Sequence, residues 1–306
     1  MRLKEMIELL EKPTKIIKIE IDLTIRSPLH IGLGDKGEPL LRVLRINIPG
    51  KGYIPIIPFS TIRGALRRVT EKLAKSSPDT YSKYRNEEYA ILVHSTQPDQ
   101  GVKAPSHPPK EGDSKRLFRE LFKANTEELF EDNIRIMLDE LGFTNNKITQ
   151  LIEIIKRGEY ENDLVKDAIS SALAFFCPIC RIYGTLSFAG RLMIGDAIPV
   201  DNVVTDFLTR VGIRRDTRTA AEGALFSLEY VVPGTEYRLI LVAKNLPTET
   251  DEKLLWATLD YVKKYGLQLG ASKSTGMGVV EMKDLKTETI DFSADIHEIW
   301  NKMGKI

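Results

Sequence analysis

An α+β fold is predicted for this chain, because strand-type and helix-type hydrophobic patterns follow one another along its 306 residues. Within residues 16–26, isoleucine or leucine alternates with polar side chains from Ile17 onward, which is typical of a half-buried strand. Residues 60–75 change to helical spacing. A glycine-rich segment at 269–278 then separates a late helical pattern from a last apolar strand. These observations predict a sheet with helices packed against it.

The order of the later elements favours a ferredoxin-like arrangement. The first helix is expected to be capped by Ser60 and to bury one apolar stripe, which consists of Ile62, Leu66, Val69 and Leu73. Arg191–Ile198 is one candidate strand, and residues 224–232 and 235–243 form a candidate hairpin around Pro233-Gly234. A helix from Asp251 to Gly266 and a strand at 278–282 follow. Strand, helix, strand, strand, helix, strand is the split βαβ order, which RNA-recognition modules share.

Residues 76–175 are predicted to be an insertion into this framework, made of an irregular loop and three helices at 114–123, 126–141 and 147–157. The insertion carries 13 basic and 18 acidic residues, whereas the rest of the chain carries 31 basic and 25 acidic residues. We therefore expect a ferredoxin-like core over 1–75 and 176–306, and any polyanion should prefer that core.

Membrane and secreted classes are disfavoured by composition. The chain has no apolar run of about 18 residues, and its charged N-terminus lacks the apolar region of a signal peptide. It has two cysteines, which excludes a disulfide-rich secreted scaffold. A cytoplasmic protein without a membrane partner is expected.

The glycine loop at 269–278 is the strongest local indication of function. Glycines allow close backbone approach, while Ser272, Lys273 and Ser274 supply hydrogen-bond donors to an anion. The loop is not a P-loop, because the lysine is misplaced and the order is helix, loop, strand. A phosphate or nucleic-acid backbone contact is one interpretation. A glycine turn that only closes a sheet is the other.

A metal centre is suggested by Cys177 and Cys180, whose spacing suits tetrahedral zinc. Two further ligands would be needed, and His94 and His107 are the only histidines between the first helix and the cysteines. Buried thiols or a disulfide are the alternatives.

Four motifs stand in order along the framework, and together they resemble a known family. They are Gly32–Asp35, Ile54–Arg67, Cys177–Thr185 leading into Gly190–Ala197, and the glycine loop 269–278. Their order and content resemble the RAMP superfamily of CRISPR-associated proteins, and within it the repeated backbone subunit of type III effector complexes. The resemblance covers roughly residues 16–75 and 176–285. It implies an RNA-recognition-like fold with a β-hairpin thumb.

The resemblance also implies partners and RNA-binding residues. Such subunits form helical filaments of copies along a guide RNA, beside other type III effector subunits, and the thumb interrupts the guide–target RNA duplex. The residues expected to meet RNA are Ser60, Arg63, Arg67, Ser272, Lys273 and Ser274, with Arg214, Arg215 and Arg218 in the thumb segment 211–220. Structural zinc near the cysteines is known in some members.

Cleavage of target RNA is implied less directly. In several members a loop aspartate after the first strand supports metal-dependent cutting, with a divalent cation such as magnesium. Asp35 is the nearest aspartate here, and Glu38 directly precedes Pro39. Asp35 as an ordinary turn residue is the alternative. A rival function is a guide-RNA-processing endoribonuclease that uses His30 as a base, and a third is a protein-only scaffold.

Overall fold

The computed structural model describes residues 3, 7, 15–32, 40–76, 107–122, 130–185, 188–214, 216, 217 and 219–292. Its strands are β1 (Lys15–Ile25), β2 (Leu40–Leu41), β3 (Arg45–Ile48), β4 (Gly52–Pro55), β5 (Leu192–Ile194), β6 (Ile198–Pro199), β7 (Thr205–Ile213), β8 (Ala220–Val231), β9 (Glu236–Lys244), β10 (Leu267–Gln268) and β11 (Val279–Asp291). Its α-helices are α1 (Phe59–Ser76), α2 (Ser114–Phe122), α3 (Phe130–Glu140), α4 (Asn145–Lys156), α5 (Asp163–Phe176), α6 (Pro178–Tyr183) and α7 (Glu249–Tyr265).

The main sheet confirms the ferredoxin-like prediction. Its strands lie in the order β10-β11-β1-β9-β5, and the paired neighbours run antiparallel. β1 therefore lies between β11 and β9, and β5 lies at the far edge, which is the split βαβ order. The isoleucines of β1 are buried at every second position, as the alternation predicts. Helices α1 and α7 pack against each other, and α1 contacts α6 as well.

The predicted pairing of residues 224–232 with 235–243 is wrong. Both segments are strands, but β8 pairs with β7 in a second sheet of order β2-β8-β7, while β9 pairs with β1. The turn at 233–234 carries the chain from one sheet to the other, and Val231 bonds with Leu29 instead. Alternation identifies a strand with one buried face, but it does not identify the partner. The β7–β8 hairpin lies where the thumb is expected, and at its far end Val211 pairs with Leu225 and Ile213 pairs with Ala220.

Helix α1 differs from its prediction at the cap and along its buried face. It begins at Phe59, whose N–H donates to Asp196 Oδ1 at 2.7 Å, so Asp196 and not Ser60 caps it. Its buried residues are Ile62, Leu66, Thr70 and Ala74, whereas Val69 and Leu73 of the predicted stripe are half-buried. The Thr70 hydroxyl is bonded to Tyr183 Oη (2.8 Å) and Thr258 Oγ1 (2.7 Å). A polar network therefore occupies part of this face.

The predicted helices between residues 114 and 157 are confirmed as α2, α3 and α4. Helix α5 was not predicted, because from Val165 to Phe176 nearly every residue is apolar or small, so the amphipathic pattern is weak. These helices share one hydrophobic cluster with the main sheet. The division of the chain into a core and an insertion stays a prediction. Within the described residues, no helix has both the length and the hydropathy that a membrane crossing needs.

Candidate nucleic-acid interface

The glycine loop is fixed tightly against the residues that follow β1. Ala271 donates to the His30 carbonyl at 3.0 Å, and Leu269 donates to the Gly278 carbonyl at 2.8 Å. Gly270 and Gly278 have φ of +74° and +80°, and a Cβ on either would lie 2.2 Å or 1.9 Å from a backbone carbonyl oxygen. Only glycine fits both positions. The loop therefore closes the β10–β11 connection, as one of the two interpretations requires.

The outer side of the same loop is polar and cationic. Residues 273–275 form a single 3-10 turn, and Ser272 before it adopts φ of +56°. Gln268 Nε2 donates to the Lys273 carbonyl at 2.7 Å and so fixes the position of the lysine. Partial burial lowers the pKa of Lys273, and repulsion from Arg68 lowers it further. The loop thus closes the β10–β11 connection and also carries a positive charge on its outer side.

Arg63 and Arg67 of α1 face the end of α6 rather than the glycine loop. Arg63 Nη2 donates to the Tyr183 carbonyl, and Arg67 Nη1 donates to the Gly184 carbonyl at 3.0 Å. Arg67 also pairs with Glu71 at 3.0 Å. Burial lowers the pKa of Arg63, and the neighbouring Arg67 adds to this. The arginine of α1 that approaches Lys273 is therefore Arg68, a residue that the sequence analysis did not single out as a ligand.

A cleft of about 640 Å³ lies beside Arg63, between the start of α1 and the edge strand β5. Its lining includes the exposed side chains of Phe59 and Met193 and the half-buried Phe188. Ser60 is exposed next to Phe59. Ser60 and the cleft beside Arg63 are both at the surface, and an RNA contact at these two residues stays a prediction.

The hairpin and the glycine loop lie on the same side of the molecule. Arg210 of β7 donates through Nη2 to Thr275 Oγ1 at 3.1 Å, and the same nitrogen lies 3.3 Å from Met277 Sδ. Arg214 is exposed at the turn, where its N–H donates to the Thr219 carbonyl at 2.9 Å. Arg215 and Arg218 lie outside the described residues. The Arg210 contact therefore connects two of the predicted RNA-binding elements.

His30 is buried behind the glycine loop, with 4% of its surface exposed. Its Nδ1 lies 2.6 Å from the Glu229 carbonyl oxygen, which fits a ring N–H that donates to that carbonyl. The ring thus fastens the segment that follows β1 to β8. Asp35 and Glu38 lie outside the described residues, so catalysis by either carboxylate, or by His30, stays a prediction.

An ion pair that the sequence did not indicate joins the half-buried Arg45 to the buried carboxylate of Glu229. The Arg45 guanidinium donates to both carboxylate oxygens of Glu229, and the Val43 N–H donates to Oε2 at 3.0 Å. Burial alone would raise the pKa of Glu229, but these donors outweigh it and lower the pKa to about 2. The pair holds the segment before β3 against β8.

The two cysteines meet one of the predicted histidines in a buried cluster. The ligand atoms of His107, Cys177 and Cys180 all lie within 4.8 Å of one another, and His107 Nε2 is 3.1 Å from Cys180 Sγ. In the structure, which describes both cysteines, no disulfide joins them. Burial raises the pKa of the Cys180 thiol, and Cys177 raises it further. His94 lies outside the described residues.

These three residues fit a zinc site. Tetrahedral zinc holds nitrogen and sulfur ligands about 3.5 Å apart, close to the spacing seen here. Two sulfurs and an imidazole form a donor set that zinc prefers, and a cation would offset the cost of forming buried thiolates. The structure describes three ligands of the four that a closed structural site needs.

A second buried ion pair stands next to this cluster. Arg181 is fully buried and donates to Asp251 through Nε (3.0 Å) and Nη2 (2.8 Å), and to the Phe175 carbonyl at 2.9 Å. Asp251 also forms the capping box of α7 with Thr248. The Thr248-x-x-Asp251 spacing is a sequence signal that could have located half of this pair.

A comparison with known protein families gives a match. A family model described as the RAMP superfamily matches residues 22–281. This range includes the end of β1 and the whole of α1, the β7–β8 hairpin and the glycine loop. A search of curated proteins finds no match.

Proposed function

Because the chain belongs to the RAMP superfamily, we propose that it acts in the cytoplasm as the guide-RNA-binding backbone subunit of a type III CRISPR effector complex. Family membership itself supports a CRISPR-associated RNA-binding role. The observation that carries the finer proposal is the contact of Arg210 with Thr275, which joins the arginine-bearing hairpin to the glycine loop. A thumb fixed to a phosphate-binding loop suits a subunit that grips a guide and interrupts its duplex.

In this proposal, two groups of residues meet the guide RNA. Those on α1 and the glycine loop contact guide phosphates, and those of the hairpin contact the guide–target RNA duplex. The first group is Ser60, Arg63, Arg67, Ser272, Lys273 and Ser274, and the second is Arg214, Arg215 and Arg218. Copies of the chain repeat along the guide in a filament, together with other type III subunits.

Metal ions enter the proposal at two places. Zinc held by His107, Cys177 and Cys180, with His94 as the fourth ligand, would tie the segment before α2 to α6. A divalent cation such as magnesium at Asp35 or Glu38 would support cutting of target RNA by polarising the reacting phosphate. The burial of His30 gives less support to the rival processing endoribonuclease, whose base would need to reach its substrate.

RNA binding and its salt dependence test the proposal. We expect wild-type protein to bind single-stranded RNA with little sequence preference and with a log–log salt slope of about 0.7 per phosphate contact. Arg214→Ala should lower both the affinity and the slope, whereas Lys156→Ala on α4, also exposed, should change neither. Binding unchanged between low and high salt would contradict RNA recognition. The mass of the particle purified with its nucleic acid tests the filament.

A further inference from the structure

A second surface of the protein combines aromatic rings with positive charge. A pocket of about 500 Å³ opens between α1 and the end of α7, beside the glycine loop. Arg68 and Lys72 line one wall, Tyr261 and Tyr265 line the opposite wall, and Lys273 lies at the loop end. Its volume is within the range of small-ligand pockets.

The side chains of the two tyrosines are unusually exposed. Tyr265 is 63% exposed and Tyr261 is 39% exposed, although aromatic rings in folded proteins usually have buried faces. Their centroids lie 4.8 Å apart and their planes are tilted by 47°, so the two rings form an angled aromatic patch one helical turn long. Lys264 Nζ lies 5.3 Å from the centroid of Tyr265 and adds a further positive charge. Exposed rings beside cations are typical of surfaces on which nucleobases stack.

The described lining of the pocket is cationic and carries no acidic side chain. The Glu71 carboxylate on the same helix pairs with Arg67. Lys273 is repelled by Arg68, which together with burial lowers its pKa. Placing a phosphate between these two side chains would relieve the repulsion. The charge and the rings therefore call for a ligand with both an anionic group and a flat apolar face.

We infer that this pocket binds a nucleotide of single-stranded RNA, with its base stacked on Tyr265 and its phosphate between Arg68, Lys72 and Lys273. The inference rests on the proposed function, and it adds a subsite away from the α6-facing Arg63 and Arg67. An acidic peptide would satisfy the cations but would leave the rings without a flat partner. RNA satisfies both.

Binding of a labelled, unstructured oligouridylate to four proteins tests the stacking. Tyr265→Leu should weaken binding by about tenfold, because base–aromatic stacking is of this order. Tyr265→Phe keeps the ring and should bind as the wild type does. Tyr53→Leu is the matched control, since Tyr53 is 73% exposed but lies on β4, outside the pocket lining. Equal binding by Tyr265→Leu and wild type would overturn the inference, as would Phe and Leu variants that are equally weak.

An abasic oligomer of the same length separates the base from the phosphate. Tyr265→Leu should bind this oligomer as well as the wild type does, whereas Lys72→Gln should weaken binding of both oligomers and lower the salt slope by about 0.7. Lys263→Gln on α7, exposed but not lining the pocket, is the charge control. A loss at Tyr265→Leu that is equal for both oligomers would show that no base stacks there.

Two readouts identify the occupant. Photo-crosslinking with 4-thiouridine RNA should modify a peptide that contains Tyr265, and crosslinks confined to other segments would overturn the inference. If Tyr265→Leu lowers binding of oligoglutamate and leaves oligouridylate binding intact, the pocket docks a protein and the inference is wrong. If wild-type protein binds no oligouridylate at all, the proposed function itself fails. If the wild type binds oligouridylate and the variants bind it equally well, the inference about this subsite is wrong while the proposed function stands.

Discussion

Replacing Glu229 with glutamine tests whether the buried ion pair with Arg45 stabilises the second sheet. The substitution keeps the shape of the side chain but removes its charge. It also sets an amide NH₂ against the guanidinium or against the Val43 N–H, because an amide has one acceptor oxygen where the carboxylate has two. The Glu229 side chain is 4% exposed, so water can do little to replace the lost bonds.

The expected magnitude follows from the pKa of Glu229. Folding lowers it from 4.5 to about 2. A shift of that size corresponds to about 3 kcal/mol of unfolding free energy, since one pKa unit is about 1.4 kcal/mol. Because the folded-state pKa is the lower one, this stabilisation is fully present above the unfolded pKa of 4.5. It is lost as the pH falls from there through about 2. The glutamine variant lacks it at every pH.

Urea denaturation, followed by tryptophan fluorescence from about pH 7 down to about pH 3, measures this difference. Wild type should exceed Glu229→Gln by about 3 kcal/mol at neutral pH, and the gap should narrow below about pH 4.5. Glu281→Gln is the matched control, because Glu281 pairs with Arg26 at the surface and is 49% exposed. That variant should lose less than about 1 kcal/mol. A gap for Glu229→Gln that is independent of pH would refute the electrostatic reasoning.

Three further predictions concern the metal sites and the glycine loop. His107→Ala should lower the zinc content from about one ion per chain, measured by elemental analysis of protein purified without added metal; a zinc-free wild type would contradict this. Asp35→Ala should abolish divalent-dependent cleavage in the assembled complex while leaving guide binding intact; full activity would direct attention to Glu38→Ala. Gly278→Ala should unfold at a lower temperature than Gly276→Ala, because both have positive φ but only Gly278 would place a Cβ against a carbonyl.

The elements that could be predicted from the sequence are those whose signal is local. Strand β1, helix α1 and helix α7 agree with their predictions within about two residues, because alternation and helical spacing depend on neighbours in the chain. Strand β11 runs to Asp291, well beyond the predicted 278–282. After Met282 its residues are mostly polar and exposed, so no apolar face marks them. These residues form a strand because they pair with the first half of β1, and not because their own sequence alternates.

The candidate site was predicted in part, because its geometry depends on contacts between distant segments. The glycine loop and the cluster of His107 with the cysteines were visible as motifs. The sequence did not indicate that Arg68 is the arginine of α1 near Lys273, because the directions of the α1 side chains depend on where α6 packs. The Arg45–Glu229 pair spans 184 positions along the chain. Charged residues at such a separation give no sign of their pairing until the fold buries them.

Three of the motifs behind the family resemblance make structural contacts, and two of these, the start of α1 and the glycine loop, also carry predicted RNA contacts. Asp196 caps α1, Arg67 bonds the turn after α6, and the glycine loop bonds the His30 carbonyl. A loss of RNA binding after substitution at these positions therefore mixes two effects, because the contact that positions the site is removed with the ligand. Among the described residues, the exposed side chains of Lys72 and Tyr265 make no such contact apart from the ring contacts of Tyr265 on α7. Substitutions of these two residues should therefore lower the affinity for RNA without lowering the stability of the fold. They separate a role in RNA binding from a role in folding.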